Sequence, residues 1–138
     1  MGAPGVLEAF GALERRILLV EDEDALREAT AHVLRDCGYR IDEASDGGQA
    51  VRLASKGLVD VIVLDVSLPI MDGIEVLRRI RALGAPRRPY VIVTSGHAGA
   101  RTRQLAFEAG CDQYIVKPFE THALVAAVGA FFVKRDGR

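Results

Sequence analysis

The sequence predicts an α/β fold in which five β-strands alternate with five α-helices along the chain. Continuous apolar runs rich in branched residues occur at 17–20, 61–64 and 90–93. Such runs are typical of strands that are covered on both faces of a sheet. The segments between them carry apolar residues at helical spacing. This alternation favours a doubly wound parallel sheet, joined by right-handed βαβ crossovers and covered by helices on both sides.

Two weaker strands, at 40–44 and 113–116, complete the predicted sheet. Each predicted helix has an apolar stripe, and the first four helices stop at a glycine, which is a common C-terminal signal. The stripe of the first helix is followed by Gly38 and consists of Leu26, Thr30, Val33 and Cys37. The later stripes are Ala50, Val51, Leu53 and Ala54; Ile74, Leu77 and Ile80; Leu105, Ala106 and Ala109; and Leu124, Val125, Val128 and Phe132.

Composition limits the class of protein. The 138 residues suit one domain, and a hydrophobic share of 49% can fill a single core. The net charge of −1 shows no basic excess of the kind that marks nucleic-acid binding. No apolar run approaches the roughly 20 residues that span a bilayer. We therefore expect a cytoplasmic domain over 15–138 that binds neither nucleic acid nor membrane directly, with residues 1–14 as a leader or short helix outside it.

The two cysteines, Cys37 and Cys111, lie far apart in the chain and have no CxxC partner. This spacing suits neither a disulfide framework nor a zinc site. We expect both to be buried, reduced thiols.

Polar residues follow four of the predicted strands. Because the carboxyl ends of parallel strands meet at one edge of a sheet, we expect these side chains to lie together there. The residues are Glu21, Asp22, Asp65, Thr94, Ser95 and Lys117. Their convergence carries the functional argument more than any one motif.

The acids of this set predict a divalent cation. Asp65 closes a strongly apolar strand, where an unpaired carboxylate is costly. If the first and third strands are neighbours, Asp65 faces Glu21 and Asp22, and like charges at short range raise one another's pKa unless a cation intervenes. A few hard oxygen ligands with room for water suit Mg²⁺ better than zinc.

A carboxylate beside Mg²⁺ and a lysine is suited to phosphoryl transfer. Asp65 would be the covalent nucleophile. The metal and Lys117 would neutralise charge on the phosphoryl oxygens. A hydroxyl at the end of the fourth strand would donate a hydrogen bond to the same oxygens. The product would be an aspartyl phosphate.

Segments 18–24, 61–73, 91–97 and 114–119 resemble, in the same order, the motifs of the receiver domain of two-component response regulators. The resemblance spans about 16–134. It implies a flavodoxin-like sheet with strand order 2-1-3-4-5. It also implies a signalling switch, not a metabolic enzyme, that accepts a phosphoryl group from the phosphohistidine of a sensor histidine kinase or a phosphotransfer protein.

The resemblance assigns the phosphoacceptor role to Asp65 and a Mg²⁺ site to the acids around it. Asp22 and Asp65 would bind the metal through carboxylates, and Ser67 through its backbone carbonyl. Glu21 would hold a metal-bound water. It stands where aspartate is more common in the family, and its extra methylene also allows direct contact with the metal.

The resemblance implies a switch at the ends of the fourth and fifth strands. Lys117 would pair with the phosphoryl group and form a cis peptide bond with Pro118. Ser95 would be the switch hydroxyl, in place of the more common threonine, and Tyr114 the aromatic side chain that turns inward as the hydroxyl moves. Thr94 is the alternative switch residue. We favour Ser95 because a small residue follows it and because Thr94 then points to the opposite face of the sheet.

The remaining expectations concern lifetime and output. His97 is either a surface histidine or, together with Ser67, a residue that controls water access to the aspartyl phosphate and hence its lifetime. Phosphorylation would reshape the face of helix 4, strand 5 and helix 5, which would then control a downstream protein. The same face could form a homodimer.

Three other classes of protein fit these residues less well. A phosphatase of the haloacid-dehalogenase type needs a second acid two residues after the nucleophile, where this chain has Ser67. A flavin-binding relative needs a phosphate-binding loop after the first strand, where the acids at 21–24 would repel phosphate. A degenerate receiver that takes no phosphoryl group would not need Asp22, Asp65, Ser95 and Lys117 together.

Overall fold

The computed structural model describes residues 14–68, 72–84, 87–96, 99–119 and 121–137. The predicted leader, apart from its last residue, lies outside these residues.

Five parallel strands form one sheet in the order β2-β1-β3-β4-β5. This order confirms the doubly wound, flavodoxin-like fold. The strands are β1 (Arg16–Val20), β2 (Arg40–Ala44), β3 (Val61–Asp65), β4 (Tyr90–Ser95) and β5 (Gln113–Val116).

Five helices cover the sheet. They are α1 (Asp24–Asp36), α2 (Gly47–Ala54), α3 (Gly73–Ala82), α4 (Ala100–Ala109) and α5 (Thr121–Asp136). The glycines expected to stop the first four helices all adopt positive φ, which residues with a side chain rarely do. Among the described helices, none combines the length and apolar character needed to cross a bilayer.

The sheet separates two apolar cores. On one face, Ile62 and Leu64 of β3 pack with residues of α2, α3 and α4. On the other face, Val61 and Val63 pack with residues of α1 and α5. Since every residue of β3 is buried, its continuous apolar run is explained by helices on both sides.

The apolar face predicted for α1 is wrong. Its buried residues are Ala31 and Leu34, whereas Leu26 is 38% exposed and Cys37 is exposed. Arg27, whose side chain is only 13% exposed, shares the inner face of the helix with Ala31 and Leu34. Two ion pairs, described below, allow this arginine to be buried. The expectation of two buried thiols is therefore wrong for Cys37, while Cys111 is buried.

Candidate functional site

Lys117 joins two acids at the carboxyl end of the sheet. Its Nζ donates hydrogen bonds to Glu21 Oε1 at 2.7 Å and to Asp65 Oδ2 at 3.1 Å. These three residues directly follow or end β5, β1 and β3, so the topology of the sheet brings them together. The convergence expected from the sequence is present for this trio.

The acids form a cluster with Asp22. One carboxylate oxygen from each of Glu21, Asp22 and Asp65 lies within 4.8 Å of the others. Glu21 and Asp65 are buried and Asp22 is exposed. Hard oxygen ligands with one side open to water are what Mg²⁺ prefers, since it keeps several waters when bound. Within the described part of the chain, Lys117 is the cation that pairs with this cluster, so the acids carry excess negative charge.

Both carboxylate oxygens of Glu21 are occupied. Oε1 accepts from Lys117, and Oε2 accepts from the backbone N–H of Glu23 at 3.1 Å. Burial raises the pKa of Glu21 above its usual value, and the nearby charge of Asp65 adds to this, although the hydrogen bonds from Lys117 and Glu23 oppose it. Burial alone would lower the pKa of Lys117, but its hydrogen bonds to Glu21 and Asp65 raise the pKa above the usual value. The ammonium is therefore charged at neutral pH.

The loop after β3 orients Asp65. The Oδ1 atom of Asp65 accepts the N–H of Ser67 at 2.8 Å, which leaves Oδ2 to Lys117. The N–H of Val66 donates to the carbonyl of Thr94 at 3.1 Å. The side chain of Ser67 is exposed at the mouth of the site.

Gly73 allows α3 to begin directly against this loop. A Cβ at Gly73 would lie 2.3 Å from Val66 Cα and 2.8 Å from the carbonyl oxygen of Asp65. Any residue with a side chain would therefore displace the backbone that carries Asp65. The sequence analysis gave Gly73 no role. The available signal was a glycine at the first helical position after Asp72, which caps α3 by accepting the N–H of Ile74.

The two candidate switch hydroxyls lie on opposite faces of β4. Val93 packs in the core beneath α2, α3 and α4, whereas Ile92 packs in the core beneath α1 and α5. Strand alternation places Ser95 on the face of Val93 and Thr94 on the face of Ile92. Thr94 there lines a cavity of about 20 Å³ between α1 and α5. The N–H of Lys117 donates to the carbonyl of Ser95 at 2.7 Å, so the ends of β4 and β5 are linked.

Tyr114 lies on the same face of the sheet as Ser95. It is partly buried, packs against the core beneath α2, α3 and α4, and pairs in register with Val93. The Lys117–Pro118 peptide bond is cis. His97, by contrast, lies outside the described residues.

An open apolar pocket of about 450 Å³ adjoins Lys117. It lies between α1 and the segment that leads into α5, and its lining includes Leu26, Phe119 and Leu124. The exposure of Leu26, unexpected from the sequence, is part of this surface. The site is therefore accessible from the side of α1.

Comparison with known proteins identifies the family to which this fold and this site belong. A family model described as the response regulator receiver domain matches residues 17–129. This chain belongs to that family. It is therefore the receiver domain of a response regulator, a phosphoacceptor in two-component signalling, as its motifs indicated.

Curated relatives carry regulatory names. The receiver domain is 35% identical over 125 residues to the transcriptional regulatory protein PrrA of Mycobacterium tuberculosis, covering 91% of this chain and 53% of that protein. It is 36% identical over 113 residues to the transcriptional regulatory protein DltR of Streptococcus agalactiae, covering 82% of this chain and 50% of that protein. The chain spans about half the length of the curated relatives it matches.

Solved structures of receiver domains share the fold. The CheY-like receiver domain protein from Methanospirillum hungatei has a TM-score of 0.82 at 25% identity and covers 90% of this chain and 98% of that one. The receiver domain of the sensor histidine kinase PA1611 from Pseudomonas aeruginosa has a TM-score of 0.78 at 34% identity, covering 86% and 98% respectively. That domain was crystallised with a magnesium ion coordinated in its active site cleft.

Proposed function

We propose that Asp65 is the phosphoacceptor of this receiver domain and that its phosphorylation depends on Mg²⁺. The observation that carries the proposal is the position of Asp65 among the three clustered acids. It is buried, Lys117 contacts one of its oxygens, and the N–H of Ser67 contacts the other. The phosphoryl donor is the phosphohistidine of a sensor histidine kinase or a phosphotransfer protein.

The chain's own groups account for the transfer. An oxygen of Asp65 attacks phosphorus, the bond from phosphorus to the histidine nitrogen breaks, and its electron pair stays on the imidazole, which takes up a proton. Lys117 is charged and already lies beside Asp65, so its ammonium can neutralise charge on the phosphoryl oxygens with little rearrangement of the site. The hydroxyl of Ser95 then donates a hydrogen bond to one of those oxygens.

The acid cluster fits the metal that the family uses. Asp22 and Asp65 would hold Mg²⁺ through carboxylates, Ser67 through its backbone carbonyl, and Glu21 through a water or directly. When bound there, Mg²⁺ supplies positive charge that offsets the charge of the phosphoryl oxygens. The excess of acids over described cations is the feature that supports this assignment.

The output surface is the face formed by α4, β5 and α5. Ser95 moves toward the phosphoryl group, Tyr114 fills the space that it leaves, and this face changes shape. Large apolar side chains are exposed on each of the three elements, at Phe107, Val116 and Val133, which supports contact with a downstream protein or a second copy of the chain. We assign the receiver to 15–138 and regard it as a cytoplasmic switch, not an enzyme, without direct nucleic-acid or membrane binding.

Phosphorylation with a small acyl phosphate and Mg²⁺ tests the proposal. Intact mass should show one added phosphoryl group in the wild type and none in Asp65→Asn. Asp42→Asn, which changes an exposed acid on β2, is the matched control and should be modified like the wild type. Modification that persists in Asp65→Asn would overturn the assignment.

Two finer roles need separate measurements. Ser95→Ala should abolish the phosphorylation-dependent change in the NMR resonances of α4 and β5, whereas Thr94→Ala should preserve it. The reverse pattern would assign the switch to Thr94. His97→Ala should alter the half-life of the aspartyl phosphate if His97 and Ser67 control water access, and unchanged decay would remove His97 from the mechanism.

A further inference from the structure

Arg27 links three separate parts of the molecule. Its Nη1 donates to the backbone carbonyl of Glu21 at 2.9 Å, and its Nε donates to Glu43 Oε1 of β2 at 3.3 Å. Its Nη2 forms an ion pair with Asp24 Oδ1 at 2.8 Å. All three guanidinium nitrogens are therefore committed, and one of them reaches the acidic loop of the candidate metal site.

The carbonyl that Arg27 contacts belongs to the peptide bond between Glu21 and Asp22. Because a peptide unit is planar, fixing this carbonyl also restricts the backbone from which the side chain of Asp22 extends. The remaining groups of Glu21 are held by other partners, since its N–H donates to Ala44 at 3.0 Å and its carboxylate accepts from Lys117. Arg27 holds the remaining backbone group of Glu21, its carbonyl, which leads into Asp22.

Asp22 depends on that constraint more than its neighbour does. Its carboxylate is exposed and makes no hydrogen bond or ion pair with another described residue. The backbone therefore sets the direction in which the Asp22 side chain leaves the main chain, whereas the Glu21 carboxylate is also held by Lys117. Loss of the Arg27 contact would leave Asp22 free to turn away from Asp65.

We propose that Arg27 is a positioning residue that orients the Glu21–Asp22 peptide and thereby sets the affinity of the acid cluster for a divalent cation. This inference rests on the proposed Mg²⁺ site. It extends that site to a residue on the inner face of α1 that touches neither the metal nor the phosphoryl group.

Arg35 provides a matched control on the same helix. Its Nη1 lies 3.1 Å from Oε2 of Glu43, the same carboxylate that Arg27 uses, and its Nη2 donates to the carbonyl of Ile41 at 3.0 Å. Each arginine therefore ties α1 to β2 through Glu43 and binds one backbone carbonyl. The carbonyl bound by Arg27 belongs to the acidic loop, whereas that bound by Arg35 belongs to β2. Arg27 also pairs with Asp24, and its side chain is 13% exposed against 49% for Arg35.

The test is calorimetric titration of Mg²⁺ into the unphosphorylated protein. Outer partners of metal ligands typically change affinity by about tenfold or more, so we expect about a tenfold higher Kd in Arg27→Gln and an unchanged Kd in Arg35→Gln. Arg27→Lys keeps the charge, but a single Nζ replaces three guanidinium nitrogens of a planar fork and cannot reach all three partner positions. We therefore expect a severalfold higher Kd. Phosphorylation by an acyl phosphate should be slowed in Arg27→Gln at low Mg²⁺ and restored at saturating Mg²⁺.

Each outcome decides the matter. The proposal is supported if both Arg27 variants bind Mg²⁺ more weakly than the wild type while Arg35→Gln binds it with the wild-type Kd. Equal affinity in the wild type and the Arg27 variants overturns it, as does an equal loss in Arg35→Gln, which would indicate only a role in holding α1. If Arg27→Gln fails to fold, Arg27→Lys decides alone. A wild type that binds no Mg²⁺ would instead overturn the proposed metal site and this inference together.

Discussion

Two aspartates at opposite ends of β3 have the same burial and opposite surroundings. Asp60 directly precedes the strand and Asp65 ends it, and each side chain is 3% exposed. Asp60 is approached by Arg87 at 3.0 Å and Arg135 at 2.8 Å, and it accepts the N–H of Arg16 at 2.9 Å. Asp65 shares a single lysine with another acid.

The amino end of the sheet repeats this pattern at β4 and β5. Asp112 forms ion pairs with Arg81 at 3.0 Å and Arg88 at 2.9 Å, and it accepts the N–H of Val91 at 2.8 Å. Arg81 also donates to the carbonyl of Gly110. The acids at this end are thus matched by cations of the chain itself.

Charge balance distinguishes the structural acid Asp60 from Asp65, the proposed phosphoacceptor of this receiver. Burial does not separate them, since Asp60 and Asp65 are equally buried. The difference lies in charge balance, because the chain compensates the acids at the amino end and leaves those at the carboxyl end with excess negative charge. Such an excess is tolerated where a cation from outside completes the site.

Replacing Asp60 should have the largest effect on stability. Asp60→Asn removes the counter-charge of Arg87 and one of the two acids that pair with Arg135, which keeps Asp136. Breaking a buried pair typically costs about 3–5 kcal/mol. Because Arg87 is half exposed, we expect the free energy of unfolding to fall by about 2 kcal/mol. Urea denaturation measures this. An unchanged urea midpoint would mean that the amino-end cluster contributes nothing to stability. The Mg²⁺ affinity of Asp60→Asn should equal that of the wild type, because Asp60 lies at the other end of the sheet.

Magnesium should stabilise the wild type by a smaller amount. A ligand that binds only the folded state at ten times its Kd contributes about 1.4 kcal/mol. We expect this gain in the wild type and in Asp60→Asn, but most of it should be lost in Asp65→Asn. Thermal unfolding with and without Mg²⁺ measures it, and an equal gain in both variants would contradict the difference between the two ends.

Without Mg²⁺, Asp65→Asn should change stability in the direction opposite to Asp60→Asn. Removing one charge relieves its repulsion with Glu21 and Asp22, at the cost of one contact to Lys117, which keeps its pair with Glu21. We expect the free energy of unfolding to rise by about 1 kcal/mol. The same urea series measures the change. A loss similar to that of Asp60→Asn would show that both clusters are structural.

The two thiols should differ in reactivity, which can be measured without any substitution. Burial, followed by the nearby charge of Asp112, raises the pKa of Cys111 to about 11, whereas Cys37 is exposed. Since the thiolate is the reactive form, a disulfide reagent at pH 8 should modify one thiol rapidly in the folded protein. Two should react after denaturation. Rapid modification of both in the native state would show that the amino end opens readily.

Sequence patterns predicted the sheet because apolar runs are a local feature, and they predicted that polar residues at strand ends meet because parallel strands have their carboxyl ends at one edge. Apolar runs identified the strands. Glu21 directly after β1 and Asp65 at the end of β3 lie beside Lys117 as expected. The same patterns predicted the wrong inner face for α1, because a pattern of apolar residues places the charged Arg27 on the outer face. They also gave no role to Gly73, whose importance lies in a contact with the backbone after β3.

Local sequence patterns were sufficient to predict the alternation of strands and helices, the apolar faces of α3 and α5, and the acids at the ends of buried strands. Which charges are compensated depends on contacts between elements that the fold brings together. Asp60 meets Arg135 and Arg27 meets Glu43 across long stretches of chain. The physical reason is that a charged side chain can be buried only beside a suitable partner, and the fold decides which partners meet.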